Sequence, residues 1–65
     1  MFNTEKLREL RERKGLTTKQ LGEMVGCNGS FITHLEVGRK EPSGRLLYYL
    51  AEALDCSMDD FYKED

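Results

Sequence analysis

The chain reads as all-α, and three observations carry that reading. Apolar residues recur at helical spacing from Leu7 to Phe61, no stretch alternates polar and apolar as a strand would, and two short helical patterns meet at a glycine-marked turn. The run from Thr17 to Glu36, TTKQLGEMVGCNGSFITHLE, is the most informative. Thr17 stands just before a helical pattern, where its hydroxyl can accept a hydrogen bond from an otherwise unpaired backbone N–H. Gln20, three residues on, can reach back and complete a capping box. A helix is therefore predicted over 18–25. Leu21, Met24 and Val25 share one face of it, and Gly26 follows where a left-handed residue would end it. The turn is then Gly26-Cys27-Asn28. Asn28 is a good N-cap for a second helix over 29–36, whose Phe31, Ile32 and Leu35 repeat the apolar stripe. Gly29, Ser30, Thr33 and His34 are left facing outward. A polar face on a short, capped helix after a tight turn suits the reading of base edges in a duplex groove.

These residues do not stand alone. LRELRERKGLT from Leu7, QLGEMVG from Gln20, the LE-x-GR-K-x-PS stretch from Leu35 to Ser43 and ALDCSMDDF ending at Phe61 accompany them. Together they resemble the helix-turn-helix family of phage repressors and Cro- or Xre-like regulators, over nearly the full length, 7–61. Several such pieces in order are specific, whereas an isolated helix-turn-helix pattern is weak. The resemblance implies a lambda-repressor-like domain of five short helices, at roughly 4–14, 18–25, 29–36, 44–54 and 58–62, the second and third forming the DNA-binding unit.

Length and composition fit this independently. At 65 residues the chain is one domain. Folding at this size hides only about 60% of the unfolded surface, so a net stability of a few kcal/mol is expected. The expected core is Leu7, Leu10, Leu16, Leu21, Val25, Ile32, Leu35, Leu47, Leu50, Ala51, Leu54, Met58 and Phe61, which leaves no room for a catalytic cavity. No apolar run approaches the roughly 20 residues of a membrane span, and no signal-peptide pattern is present, so a cytoplasmic location is expected. Cys27 and Cys56 lack a partner at metal-ligand spacing. They are expected to be buried, reduced thiols behaving as small hydrophobes.

The formal net charge is −2, unusual for a ligand of polyanions. Its distribution is uneven: residues 1–45 hold nine Lys/Arg against six Asp/Glu, and residues 46–65 hold one against six. The basic part is the part with the motif. Asp55, Asp59, Asp60, Glu64 and Asp65 are expected to face away from a bound duplex; ordinary solubility is an equal reading of that acidic tail.

Candidate contacts follow from chemistry and position. Thr18 and Asn28 stand at helix starts, where free N–H groups and the positive end of the dipole attract a phosphate. Lys19 can add a further phosphate contact. The resemblance implies that Arg39 and Lys40, in the loop after the reading helix, grip the sugar-phosphate backbone. Solvated surface charge is the bland reading of all of these. Ser30, Thr33 and His34 are the candidate base readers, with Gly29 contributing backbone only. Hydroxyls and a neutral imidazole each donate and accept, so the code they imply is loose. Relatives often carry a longer polar side chain at the place of Gly29; permissive backbone at the first helical turn and close approach to a sugar-phosphate backbone are both open readings. The resemblance also implies that Arg11 pairs with Glu36 and fixes the angle at which the reading helix is presented. Val37 stands where relatives frequently have Asn, so the positive φ of that turn is expected on Gly38, and Asp55 takes a place often held by Gly.

The leading expectation is a sequence-specific duplex DNA-binding regulator, acting as a repressor at a pseudo-palindromic operator. One reading helix covers few base pairs, so a homodimer is expected, formed in solution or only on DNA, with half-sites about 34 Å apart. Leu46, Tyr48, Tyr49, Met58 and Tyr62 are the candidate subunit surface. The alternative is a protein-interaction module, antitoxin-like or regulator-binding, with weak DNA affinity. An enzyme is disfavoured, since His34 has no nucleophile with an orienting acid and there is no glycine-rich phosphate loop. No cofactor or metal is expected. Single-stranded RNA recognition usually uses aromatic platforms on a sheet, which this pattern lacks.

Overall fold

A computed structural model describes residues 1–62. It holds four α-helices, α1 (Thr4–Arg13), α2 (Thr18–Val25), α3 (Gly29–Glu36) and α4 (Gly44–Ala53), followed by a 3-10 helix at Met58–Phe61. The fifth helix of the sequence reading is thus a single 3-10 turn. Runs of 3-10 geometry longer than three or four residues are uncommon, and this one ends at Phe61, whose side chain is buried in the core. The ends of α1 and α4 fall one residue earlier than predicted, at Arg13 and Ala53.

Each α-helix begins on a side-chain cap. The Asn3 side chain accepts from Lys6 N at 3.0 Å, Thr17 from Gln20 N at 3.0 Å, Asn28 from Phe31 N at 3.3 Å and Ser43 from Leu46 N at 3.2 Å. Gln20 returns the bond at α2, its Oε1 accepting from Thr17 N at 2.9 Å. Each such cap contributes about 1 kcal/mol, a large share of the stability of a domain this small. After α2, Gly26 takes a φ of 81°, and after α3 the left-handed residue is Gly38 at 84°, with Val37 at an ordinary −95°. Asp55 carries the left-handed conformation after α4, at φ 59°.

One core joins all the elements. Leu7, Leu21, Ile32, Leu35, Leu50 and Phe61 are fully buried at its centre. Two residues outside the predicted core belong to it, Phe2 and Leu46. Phe2 precedes the α1 cap and Leu7 stands at its fourth helical position, the arrangement in which an apolar pair fixes the direction of the chain into a helix. Its ring stacks on Phe61 with centroids 5.5 Å apart, and Asn3 N donates to the Phe61 carbonyl at 2.7 Å. Leu10, Leu16 and Met58 are only partly buried and pack on the edge of the core. Met24, read onto the apolar face of α2, is exposed, because Gly22 and Val25 take the buried side of that short helix. Both cysteines are free thiols, but half-buried rather than buried, at the core margin. Burial raises the Cys56 thiol pKa, with Asp60 and Asp55 adding to the effect. Among the described residues no helix is long and apolar enough to cross a membrane.

Candidate nucleic-acid interface

The helix-turn-helix is held together by backbone approach as much as by side chains. A Cβ on Gly22 would lie 2.7 Å from the Cys27 carbonyl oxygen and 3.0 Å from Asn28 C, so the turn folds directly onto α2. One on Gly29 would lie 3.0 Å from Lys19 Cα and 3.1 Å from Lys19 N. The first residue of α3 therefore sits on the first turn of α2 with nothing between them. This close seat explains the glycine at position 29 in place of a longer polar side chain, because its side-chain direction faces α2. Gly22 was not singled out from the sequence; its signal was a glycine in mid-helix beside Leu21, which marks a close approach.

A second set of bonds fixes α3 relative to α1. Arg11 Nε donates to Glu36 Oε2 at 2.6 Å and Nη2 to Oε1 at 3.2 Å, a bidentate pair whose side chains are 12% and 8% exposed. Arg11 Nη1 also donates to the Leu16 carbonyl at 2.7 Å, just ahead of α2. One guanidinium thus ties the end of α3 to the approach to α2. The hydrogen bond to Glu36 raises the Arg11 pKa above its ordinary value, against a smaller lowering by burial.

An open concavity of about 530 Å³ lies where α2 and α3 meet, lined by Thr18, Lys19, Asn28, Gly29, Ser30 and Thr33 together with Glu23 and Cys27. Six of the sequence-predicted contact residues are gathered there. Lys19, Asn28, Ser30 and Thr33 are exposed, while Thr18 and Gly29 are half-buried. The Asn28 oxygen is committed to its cap, leaving its amide N–H groups for a ligand. Thr33 Oγ1 donates to the Gly29 carbonyl at 3.2 Å. Its proton is engaged within the helix, so toward a ligand Thr33 presents oxygen lone pairs and a methyl group.

His34, Arg39 and Lys40 do not line that concavity. His34 is half-buried near the end of α3, and its carbonyl accepts from Arg39 N at 2.9 Å and from Lys40 N at 3.4 Å. The loop is thereby folded back onto the last turn of α3, with both cationic side chains exposed. Lys40 borders a smaller depression with Met1, Phe2, Thr4, Gly38 and Glu41. Asp55, Asp59 and Asp60 take no part in the concavity; Asp55 faces Lys14 at 3.9 Å. Glu64 and Asp65 lie outside the described residues.

The helix-turn-helix family pattern matches residues 7–61. The chain belongs to that family. An HTH-type transcriptional regulator of Archaeoglobus fulgidus is 33% identical over 57 residues, which cover 88% of this chain and 81% of that protein. The competence pilus inhibition repressor of Acinetobacter baylyi is 38% identical over 56 residues, 86% of this chain and 51% of the relative. Repressor protein C2 of Salmonella phage P22 is 36% identical over 61 residues, 94% of this chain and 28% of that protein. The P22 c2 repressor in complex with a synthetic operator superposes on all of this chain and 98% of that one, with a TM-score of 0.92 at 34% identity. The chain therefore spans about half or less of two of these relatives. Family membership makes it a DNA-binding regulator of transcription, not an enzyme.

Proposed function

We propose that α3 enters the major groove with Ser30, Thr33 and His34 toward the bases, while Thr18, Lys19, Asn28, Arg39 and Lys40 hold phosphates on either side. The observation that carries this reading is the placement of Ser30 and Thr33 in one concavity with Thr18, Lys19 and Asn28. Base readers and phosphate ligands must share a surface, as these five residues do; His34, at the end of α3, and Arg39 and Lys40, in the loop after it, lie outside the concavity. The amides at the start of α2 and the Asn28 side chain favour an anion. Gly29 supplies backbone and a close seat rather than a side chain. The P22 c2 repressor, alike in fold, is found in complex with a synthetic operator, which supports duplex DNA as the ligand.

The regulator acts as a repressor, by occupying a promoter, and works in the cytoplasm as a homodimer. A single short helix cannot span enough base pairs for useful selectivity, so two copies read half-sites about one duplex turn apart. Of the residues expected to form the subunit surface, the exposed ones remain candidates. Leu46 is buried and Met58 is half-buried, leaving Tyr48, Tyr49 and Tyr62, 49%, 42% and 44% exposed, to meet a second copy.

Selection of bound duplexes from a random pool tests the whole reading. It should return a pseudo-palindrome with half-site centres roughly 34 Å apart. Failure to enrich any sequence, or binding that does not depend on salt, would count against phosphate-anchored base reading and favour a protein-interaction module.

A further inference from the structure

The concavity contains one group that a polyanion should avoid. Glu23 is the carboxylate among its lining residues, and it faces solvent from α2 between Lys19 and the turn. Some surface acids take basic partners: Glu9 lies 3.4 Å from Lys6 and 3.2 Å from Arg13, and Glu12 lies 3.8 Å from Arg8, whereas Glu5 and Glu41 are exposed without one among the described residues and lie outside the concavity. Glu23 has no hydrogen-bond or ion-pair partner among the described residues, although Lys19 stands one helical turn before it. Its charge is therefore unneutralised on the surface that meets the duplex.

We propose that Glu23 is a specificity-determining residue that works chiefly by penalising wrong binding. On an arbitrary duplex the protein rests against the phosphates, and the carboxylate opposes that loose association. On a cognate site α3 is seated in the major groove, where the exocyclic N4 amine of a cytosine donates to the carboxylate and compensates it. Discrimination then comes from a repulsive element as well as from attractive contacts. The proposal rests on the docking face described above.

Glu23→Gln keeps the shape and removes the charge, and because Glu23 has no partner the melting temperature should not move. Its affinity is measured by titration against the selected duplex and against a scrambled duplex of equal length, each over a series of salt concentrations. Ser30→Ala and Thr33→Ala are measured in parallel. The expected result is that scrambled-duplex affinity rises about fivefold, with a log–log salt slope steeper by up to about 0.9, while selected-duplex affinity stays level or falls. An equal rise on both duplexes would reduce Glu23 to a bulk-charge effect and overturn the proposal, as would no change on either. If Ser30→Ala and Thr33→Ala weaken selected binding while the ratio for Glu23→Gln holds, the docking face stands and only the role of Glu23 falls. If those alanine variants change nothing, the docking face fails and takes this proposal with it.

Discussion

Arg11→Ala isolates the bond that sets the presentation of α3. The substitution removes three charge-assisted hydrogen bonds, two to Glu36 and one to the Leu16 carbonyl, and leaves the Glu36 side chain 8% exposed without its partner. Stranding a mostly buried charge costs about 3–5 kcal/mol, well beyond the 1 kcal/mol or less of an exposed pair. For a domain of this size 1 kcal/mol shifts the melting temperature by about 4–8 °C, so a loss of some 3 kcal/mol lowers it by roughly 12–24 °C. Thermal melting followed by far-ultraviolet circular dichroism, on Arg11→Ala, Glu36→Ala and the double variant, completes a cycle. The double variant should be little worse than Arg11→Ala alone, giving a coupling of about 2 kcal/mol. Effects that simply add, to within about 0.5 kcal/mol, would refute the assignment of the pair as a structural tie. Unchanged melting with lost DNA binding would instead make Arg11 a phosphate ligand. The pH dependence is also fixed in sign. The Glu36 hydrogen bond raises the folded-state pKa of Arg11 above its ordinary, already strongly basic value, so its stabilisation is complete throughout the neutral and mildly alkaline range and is lost only at still higher pH. The cost of Arg11→Ala should therefore be the same at pH 7 and pH 9.

The remaining expectations are simpler to measure. Lys40→Ala, at an exposed position, should leave the melting temperature in place and make the salt dependence of duplex binding shallower by about 0.9; an unchanged slope would remove it from the phosphate set. Asn28→Asp keeps an oxygen for the α3 cap but exchanges amide donors for a negative charge, so stability should hold while duplex affinity drops at least tenfold; retained affinity would show that no phosphate lies there. Gly38→Ala meets no neighbouring atoms, so its cost is conformational alone, about 1–2 kcal/mol for a φ of 84°, read as a melting temperature lower by several degrees.

What was legible in the sequence was whatever local chemistry decides. Thr17, Gln20, Asn28 and Gly26 mark the bounds of α2 and the start of α3 because caps and left-handed glycines act within four residues of themselves. The positive φ fell on Gly38 rather than Val37 for the same reason. Much of what escaped was set by contacts distant in the chain. The Phe2–Leu7 pair around the α1 cap is a local pattern that the reading passed over, while the ring that stacks on Phe2, Phe61, lies too far along the chain for any local pattern to announce. Leu46 looked surplus when α4 was read by itself, yet α4 buries a broad face formed by Leu46, Leu47, Leu50 and Ala51. The candidate site was legible as a set of residues but not as a shape. Nothing in the sequence indicated that Gly29 faces Lys19, that the Thr33 proton is engaged by Gly29, or that Glu23 shares their concavity.

The two hydrogen bonds accepted by the His34 carbonyl have a mechanical consequence. With the Arg39 and Lys40 amides both anchored there, the loop has little freedom to search for a phosphate of its own, and it moves with the last turn of α3 as one piece. A duplex whose groove is too wide or too narrow would bring reader and grip out of step, so such a protein should sense the stiffness and groove width of base pairs it never touches.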